Sequence, residues 1–569
     1  MRLDSRAAIT CHEYLHKTLA PNSFPGLLPD PENPVAKEFE EQGLAHERKV
    51  LALLHDAPGV VHIDINASRE EQQIQTAEAL LNPKALIITG ADIGQITEEE
   101  LASALNTTFT QSNRASRPDL LIRISANPHQ WAPVDIKSHT AVEENKSNSV
   151  YITPITDFNP TSADKSQGRL NTEDLHQLTH YTRHLQALGL ATDQLWCGII
   201  GRDIDTCAWV QLGDVVLGLG KNQYAFLDEH DQKFATALEK ANASYEENSN
   251  PSQKTGIIPE NLPGKMGCTM CEYKSTCIAE MEVFDNGAGH VTLLATVTPR
   301  EMRKHFPEIS SIATLRSTPP TDDFMAKAQV RANVWKSEKP QLLDPATPLA
   351  LPEFDIEIDI DLENSMEALR ELLPDEEVGD DRLYLYGFGV HDRTTNPSWK
   401  SAAIETISDY SNTAEGEYKV MLDVWNRLHQ EIKQAESVGK TIGIFHYSPH
   451  EKTWWRHFAR RYGDKPGVPT LANVENFANT YLIDLYKYTQ KVSFPTMGYS
   501  IKLLATIAGF KWSVKDPGGA GSLLKYRDAI NPALPQSERD AAIAWLDSYN
   551  RDDVRATFAV RDYIRNLSL

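Results

Sequence analysis

The sequence predicts an α/β protein with two unlike compact regions and a helical connector between them. Amphipathic helical segments alternate with short strand patterns over residues 1–285. Residues 354–363, FDIEIDIDLE, alternate acidic and apolar side chains with a period of two, which is typical of a strand. Short helix-like pieces with polar breaks fill residues 286–345. We therefore predict compact domains over residues 1–285 and 346–569, joined by a connector over residues 286–345.

Composition limits the classes of protein that the chain represents. Of its 569 residues, 41% are hydrophobic and 24% are charged, which excludes global disorder. The net charge of −23 means that a nucleic-acid site has to be a local basic groove. Six cysteines are too few for a secreted disulfide scaffold. We find no signal-peptide core and no apolar run near the roughly 20 residues of a membrane span, so we predict a cytoplasmic protein without a membrane partner.

The elements of the first region follow from periodicity. Residues 37–55 and 172–189 carry apolar side chains at helical spacing, and the second run closes at a glycine. Strands are predicted at 119–125 and 133–138, with a turn between them. LWCGIIG (195–201) and TCAWVQLG (206–213) read as a further strand pair.

The first pair of predicted strands carries a candidate metal site. Asp119 begins one strand after Pro118, and Asp135 and Lys137 share one face of the next strand because side chains alternate. Two carboxylates bind a divalent cation, which lowers the pKa of bound water. A lysine beside them orients that water or neutralises developing negative charge. Glu47 on the preceding helix adds a further acid.

This arrangement resembles the RecB-like branch of the PD-(D/E)xK nuclease superfamily. The resemblance implies a restriction-endonuclease-like domain that uses Mg²⁺ or Mn²⁺. It also implies an ordered set of site residues, all of which the sequence supplies: His46 or Glu47 on a helix, Asp119, Asp135 with Lys137, and then Gln177 and Tyr181 on a later helix. The last two residues lie four apart, on one helix face.

Four cysteines surround these motifs. Cys268, Cys271 and Cys277 have the spacing C-x2-C-x5-C, and Cys11 precedes the motifs. Thiolates bind soft metals, so the spacing indicates zinc or iron–sulfur, with unligated thiols as a third reading. RecB-like nucleases with one early and three late cysteines bind a [4Fe–4S] cluster that clips the domain ends together. The resemblance therefore implies this cluster here.

The second region opens with the acidic strand. LYLYGFGV (383–390), a long helix, TIGIFHYS (441–448) and mainly helical sequence follow it. Acids crowded on one strand face repel each other, and bound metal ions would relieve that repulsion. We take Asp361 and Glu363 as the metal ligands, with Asp355/Glu357 and Asp359/Asp361 as alternative registers.

Further acids follow in an order that resembles the DnaQ-like exonucleases. Glu451 opens a helix after an apolar strand, where that family usually has Asp, and Asp484 is the reserve ligand. Tyr549 and Asp553 match a Tyr-x-x-x-Asp helix motif, which implies that the tyrosine orients water and the aspartate binds metal. This resemblance implies an RNase H-like 3′–5′ exonuclease domain. The whole chain resembles a family of bacterial two-domain proteins predicted to be nucleases.

These observations predict a metal-dependent nuclease that hydrolyses DNA, at single strands or ends, with a second exonuclease-type site. One alternative is an accessory nucleic-acid-binding protein with one or both sites inactive. Another is a nuclease acting on RNA, because the RNase H-like fold hosts both activities. The chain has no GxxxxGK[ST] phosphate loop, so a helicase motor would be a separate partner, by analogy with other RecB-like nucleases.

Overall fold

The computed structural model describes residues 1–106, 112–124, 130–143, 145–218, 223–249, 268, 271–337, 339–365, 382–395, 398–515 and 517–567. Its contacts divide the chain into two units, Met1–Glu260 and Asn261–Leu569. The predicted boundaries near residues 285 and 345 stay predictions. Within the described ranges, no helix is both long and apolar enough to cross a membrane.

The first unit mixes helices and short strands. Its helices are α1 His12–Leu19, α2 Pro34–Leu54, α3 Arg69–Leu81, α4 Gln95–Leu105, α5 Thr172–Ala187 and α6 Phe226–Ser249. Its strands are β1 Val60–His62, β2 Ile87–Thr89, β3 Leu120–Arg123, β4 Trp131–Ile136, β5 Val142–Glu143, β6 Ser149–Pro154, β7 Lys165–Gln167, β8 Arg169–Leu170, β9 Trp196–Ile200, β10 Thr206–Gln211, β11 Val216–Leu217 and β12 Tyr224–Ala225.

Eight of these strands form one sheet, in the order β1-β2-β3-β4-β9-β10-β6-β7. Strands β3 and β4 are antiparallel, and β4 runs parallel to β9. Val50 and Leu54 of α2 pack in one core with Ile136 of β4. Leu175 and Leu178 of α5 pack in another core with Ile199 of β9. Since Asp135 pairs in register with Ile199, its side chain lies on the α5 face of the sheet.

The second unit begins with a helical segment and continues into a second sheet. Its helices are α7 Lys274–Gly287, α8 Pro299–His305, α9 Ile312–Ser317, α10 Asp323–Val334, α11 Ala414–Ser437, α12 His450–Arg461, α13 Leu471–Tyr481, α14 Leu485–Thr489, α15 Ile501–Ile507, α16 Gly519–Ile530 and α17 Gln536–Arg565. Its strands are β13 Gln341–Leu342, β14 Ile356–Asn364, β15 Leu383–Asp392, β16 Glu405–Ser408, β17 Ile442–His446, β18 Leu482–Asp484 and β19 Val492–Ser493.

The helical segment over α7–α10 has a core of its own. Met281 of α7, Ile312 of α9 and Ala328 of α10 belong to one buried cluster, with Trp335 at its edge. Helices α7, α9 and α10 therefore share one small buried core.

Five strands of the second unit form a mixed sheet in the order β16-β15-β14-β17-β18. Strand β14 lies in the middle, antiparallel to β15 and parallel to β17. Its apolar side chains, such as Ile358 and Ile360, pack against Val424 and Leu428 of α11. Its acidic side chains point to the opposite face, where α17 lies against β14 and β15. The period of two in the sequence thus separates an apolar face from an acidic one.

Candidate metal centres

Three carboxylates meet where β14 ends against α17. Asp361 and Glu363 of β14 and Asp553 of α17 have carboxylate oxygens within 4.8 Å of one another. In the part of the chain that the structure describes, no other group of three His, Cys, Asp or Glu side chains meets this limit. Carboxylate oxygens are the ligands that hard divalent cations such as Mg²⁺ and Mn²⁺ prefer. The donor set therefore fits such a cation.

The close approach of α17 to the sheet brings these acids together. Asn550 of α17 donates a hydrogen bond from Nδ2 to Asp361 Oδ2 at 2.9 Å. Gly387 of β15 lies beneath the same helix turn, and a Cβ atom there would lie only 2.9 Å from Cγ2 of Val554 and still closer to Asn550. The absence of a side chain at Gly387 thus allows the contact that orients Asp361.

Asp553 is held by two donors from a neighbouring segment. Lys502 Nζ of α15 lies 2.5 Å from Asp553 Oδ1, and Trp512 Nε1 donates to the same oxygen at 2.6 Å. The Lys502 ammonium also lies 4.4 Å from the ring centre of Trp512 and 4.3 Å from that of Tyr549. Tyr549 in turn stacks on Trp545. These contacts therefore fix the orientation of the Asp553 carboxylate and hold a positive charge beside it.

Crowding and burial raise the pKa values of the acidic group. Burial raises the pKa of Asp361 well above its usual range, and the charges of Asp553, Glu363 and Glu451 add to the rise. Burial and the charge of Asp553 raise the pKa of Glu363 to about 8. Burial also raises the pKa of Asp553, although Lys502 opposes that rise. A divalent cation would offset the repulsion that causes these shifts.

The first half of the acidic strand has internal counter-charges instead. Arg561 Nη1 lies 3.0 Å from Glu357 Oε2, and Arg561 Nη2 lies 3.0 Å from Asp359 Oδ2. Arg565 donates two further hydrogen bonds to Glu357, at 2.7 and 2.5 Å. Glu357, Asp359 and Arg561 are all buried. Helix α17 thus pairs Glu357 and Asp359 with arginines. The same helix brings Asp553 to Asp361 and Glu363.

These contacts distinguish the alternative pairs of acidic residues that the sequence left open as metal ligands on the acidic strand. Asp355 accepts two hydrogen bonds from Thr441, each at 2.8 Å, and lies outside the acidic group. Glu357 and Asp359 are bound by arginine. Of the residues proposed from the strand, the structure brings Asp361 and Glu363 together with Asp553.

Two other proposed acids lie close by with partners of their own. Glu451 is buried, and its Oε2 accepts a hydrogen bond from His446 Nδ1 at 3.0 Å. Its charge contributes to the raised pKa of Asp361, although it is outside the group of three. Asp484 Oδ1 accepts the backbone N–H of Ser448 at 3.1 Å. Ser448 has a φ of 90°, which non-glycine residues rarely adopt, so Asp484 stabilises the turn that precedes Glu451.

In the first unit, Asp119 and Asp135 face each other across neighbouring strands. Leu120 pairs with Val134, so continuing that register places Asp119 opposite Asp135. Asp119 Oδ2 accepts the backbone N–H of Ile136 at 2.7 Å. Asp135 is buried, and hydrogen bonds from Lys137 and from the backbone of Asp119 oppose the rise in its pKa that burial causes. Two facing carboxylates supply the oxygen ligands that a hard divalent cation prefers.

Lys137 begins a chain of polar contacts that reaches α5. Lys137 Nζ lies 3.1 Å from Asp135 Oδ2 and donates to Gln177 Oε1 at 2.9 Å. Gln177 Nε2 donates to the Tyr181 hydroxyl at 2.8 Å, and that hydroxyl donates to the Arg117 carbonyl at 3.2 Å. The structure thus brings Asp135, Lys137, Gln177 and Tyr181 into one network.

The remaining residues proposed for this site differ in their distance from its carboxylates. Burial and, to a smaller extent, the charge of Asp135 raise the pKa of Glu47, so these two carboxylates interact electrostatically. Burial raises the pKa of Asp119 well above its usual range, with Asp135 and Glu47 adding to the rise. The three acids do not meet the 4.8 Å limit within the described residues. His46 contacts the Gly201 carbonyl through Nε2 at 3.0 Å, which ties α2 to the end of β9.

The proposed cluster cysteines fall in both units. Cys11 precedes α1 in the first unit, and Cys268, Cys271 and Cys277 belong to the second. Cys271 donates its N–H to the Cys268 carbonyl at 3.3 Å, and Tyr273 donates its N–H to Cys271 Sγ at 3.4 Å. A backbone N–H directed at sulfur stabilises a thiolate, so this turn fits a metal-binding thiol.

Sequence reasoning missed Lys502, Trp512 and Asn550. Each contacts one of the three acids, yet none stands in a recognisable spacing with it. Pairing of Lys502 with Asp553 depends on how α15 packs against α17. No pattern in the sequence alone signals that packing.

Comparison with known families adds to this geometry in the second unit. The family model RNase_H_2, of the RNase_H superfamily, matches residues 379–565. No curated protein and no solved structure matches the chain. The C-terminal part of this mixed α/β chain is therefore an RNase H-like domain. The match covers Glu451, Asp484, Tyr549 and Asp553, whereas β14, which pairs with β15 in the same sheet, lies before the matched residues. A domain of this class supports an enzyme that hydrolyses nucleic acid.

Proposed function

We propose that the chain is a metal-dependent nuclease that hydrolyses DNA from single strands or ends. The observation that carries the proposal is the meeting of Asp361, Glu363 and Asp553 within 4.8 Å in a domain of the RNase H superfamily. A divalent cation bound there would lower the pKa of an attacking water and stabilise charge on the scissile phosphate. Tyr549 would orient that water, a role that its hydrogen bond with Asp553 supports.

The test is cleavage of end-labelled single-stranded DNA by the full chain with Mg²⁺ or Mn²⁺. In the Asp135→Asn background, which disables the candidate site of the first unit, we expect Asp361→Asn to reduce cleavage at least 100-fold, on the order of what loss of one transition-state contact costs. Asp355→Asn is the matched control, because Asp355 lies on the same acidic strand but bonds to Thr441. Equal cleavage by both variants would remove this site from the reaction.

We further propose that Asp119, Asp135 and Lys137 of the first unit form another hydrolytic site, of the PD-(D/E)xK type (the first site). Its support is the polar network from Asp135 to Tyr181 and the position of Asp119 opposite Asp135 on the neighbouring strand. Asp135→Asn, Asp361→Asn and the double variant separate the two activities on DNA and RNA substrates of defined ends. Asp193→Asn is the control here, because Asp193 binds only a surface glutamine, Gln130, among the described contacts.

The same assays decide between the remaining possibilities. Binding of DNA without cleavage by the wild-type chain would favour an accessory binding protein. Preferential cleavage of RNA would favour an RNA nuclease. Loss of all activity with Asp361→Asn alone would leave the first site inactive.

We also propose that Cys11, Cys268, Cys271 and Cys277 bind a [4Fe–4S] cluster. The proposal rests on the cysteine spacing and on the N–H directed at Cys271 Sγ. Anaerobic purification followed by iron and sulfide analysis tests it, and the expected content is about four of each per chain. One zinc ion and no sulfide would contradict it. Cys197→Ser is the control substitution, since Cys197 lies buried in strand β9.

A further inference from the structure

A lysine lies where a second cation would otherwise approach the acidic group of the second unit. Lys502 Nζ is 2.5 Å from Asp553 Oδ1, and Lys502 keeps 30% of its side chain exposed. Lys502 Nζ also lies 4.4 Å from the ring centre of Trp512 and 4.3 Å from the ring centre of Tyr549. An ammonium held by one carboxylate and two aromatic faces is well ordered and strongly localised.

The contacts of Asp553 limit how this carboxylate can bind metal. Its Oδ1 already accepts hydrogen bonds from Lys502 and Trp512, at 2.5 and 2.6 Å. A carboxylate engaged in this way offers a cation its other oxygen. It is therefore poorly suited to bind one cation through both oxygens or to bridge two cations.

Charge balance points in the same direction. Asp361, Glu363 and Asp553 together carry three negative charges when ionised. The lysine and one divalent cation balance them, whereas a second divalent cation would leave an excess of positive charge beside Lys502. Like charges at such short distances repel each other in a partly buried site.

We infer that the acidic group binds one divalent cation and that the Lys502 ammonium supplies the second positive charge beside the substrate phosphate. Many nucleases obtain both charges from a pair of metal ions. Here the protein provides one of them as a fixed side chain. The inference rests on the proposed function, because it specifies how the same site would work.

The test counts the ions held by this group, independently of cleavage. Binding of Mn²⁺ to the full chain is measured by electron paramagnetic resonance of the unbound ion. The number of ions lost on Asp361→Asn defines the content of the site. We expect one ion for the wild-type chain, one for Lys502→Arg and two for Lys502→Met. Circular dichroism checks that each variant keeps the wild-type secondary structure.

Lys525→Met is the matched control, because Lys525 is another partly exposed lysine paired with an aspartate, Asp528, at 3.1 Å. It should leave the count at one. Two ions in the wild-type chain, or one ion in Lys502→Met, would overturn the inference and leave the proposed metal-dependent activity standing. No difference between the wild-type chain and Asp361→Asn would overturn the inference and the proposed metal site together.

Discussion

Arg561 offers a sharp test of how the acidic strand is held. Arg561 is fully buried and lies 3.0 Å from both Glu357 and Asp359. Replacing it with methionine keeps much of the volume but leaves Asp359 buried with His391, 3.3 Å away, as its remaining partner. Breaking a buried ion pair in this way costs about 3–5 kcal/mol. We therefore expect Arg561→Met to lower the free energy of unfolding of the second unit by that amount.

The measurement is urea-induced unfolding of the full chain, followed by circular dichroism. Hydrogen exchange of peptides from α17 assigns the loss to the second unit. Arg555→Met is the control on the same helix, because Arg555 is 31% exposed and pairs with Asp552 at 3.3 Å. Asp552 is buried but keeps two hydrogen bonds from Ser513, so loss of the partly exposed Arg555 should cost only about 0–1 kcal/mol. If Arg561→Met costs no more than this control, the reasoning is refuted.

A double variant tests whether unpaired charge causes the loss. In Arg561→Met combined with Asp359→Asn, the arginine and one of its two carboxylate partners are both gone. The combined loss should then be smaller than the sum of the two single losses. Simple additivity would point to lost packing against Phe445 and Phe558, whose rings lie 4.8 and 4.3 Å from the guanidinium.

Three further predictions concern the two sites. The pKa of Glu363 is raised from 4.5 to about 8, so between these pH values the native metal-free chain holds a proton on Glu363 that the unfolded chain releases. The stability that this proton contributes is complete below pH 4.5 and is lost as the pH rises through 8. Thermal unfolding should show that loss, Glu363→Gln should flatten it, and Mn²⁺ should raise the melting temperature more at pH 8 than at pH 5. Gly387→Ala should cost about 1–3 kcal/mol in urea unfolding and weaken Mn²⁺ binding, because the added methyl group displaces Asn550 and Val554; equal affinity in both chains would contradict this. Tyr181→Phe should slow cleavage at the first site about fivefold, as expected for one hydrogen bond of about 1 kcal/mol, measured in the Asp361→Asn background, and an unchanged rate would exclude the hydroxyl from that site.

Local patterns in the sequence predicted much of the fold. The strands expected at 119–125 and 133–138 appear as Leu120–Arg123 and Trp131–Ile136, and the helix expected at 172–189 appears as Thr172–Ala187. The alternating acids correctly predicted one strand with an apolar and an acidic face. The RNase H-like class of the C-terminal part is confirmed by the family match. Each of these features depends on periodicity within a short window.

The sequence could not show which acids of β14 pair with arginine and which belong to the candidate metal site. Glu357 and Asp361 lie four residues apart on the same face of strand β14. Their difference comes from Arg565 and Asn550, which contact them from 208 and 189 residues further along the chain. Such pairings depend on the tertiary path of the chain, so residue spacing carries no trace of them. The resemblance to known nucleases supplied Asp553, but it gave no sign of Lys502, which lies 51 residues before Asp553.

The single helix that serves both halves of the acidic strand also has a consequence for folding. Until α17 docks, Glu357 and Asp359 of β14 would lie in the middle of the sheet without the arginines that pair with them. The partners are separated by about 200 residues, so this contact is among the most non-local in the chain. Contacts of this kind form late, because the entropy of closing the loop is lost before the contact forms. Completion of the sheet and creation of the cation site should therefore be one cooperative event, and cation affinity would report directly on correct folding of the second unit.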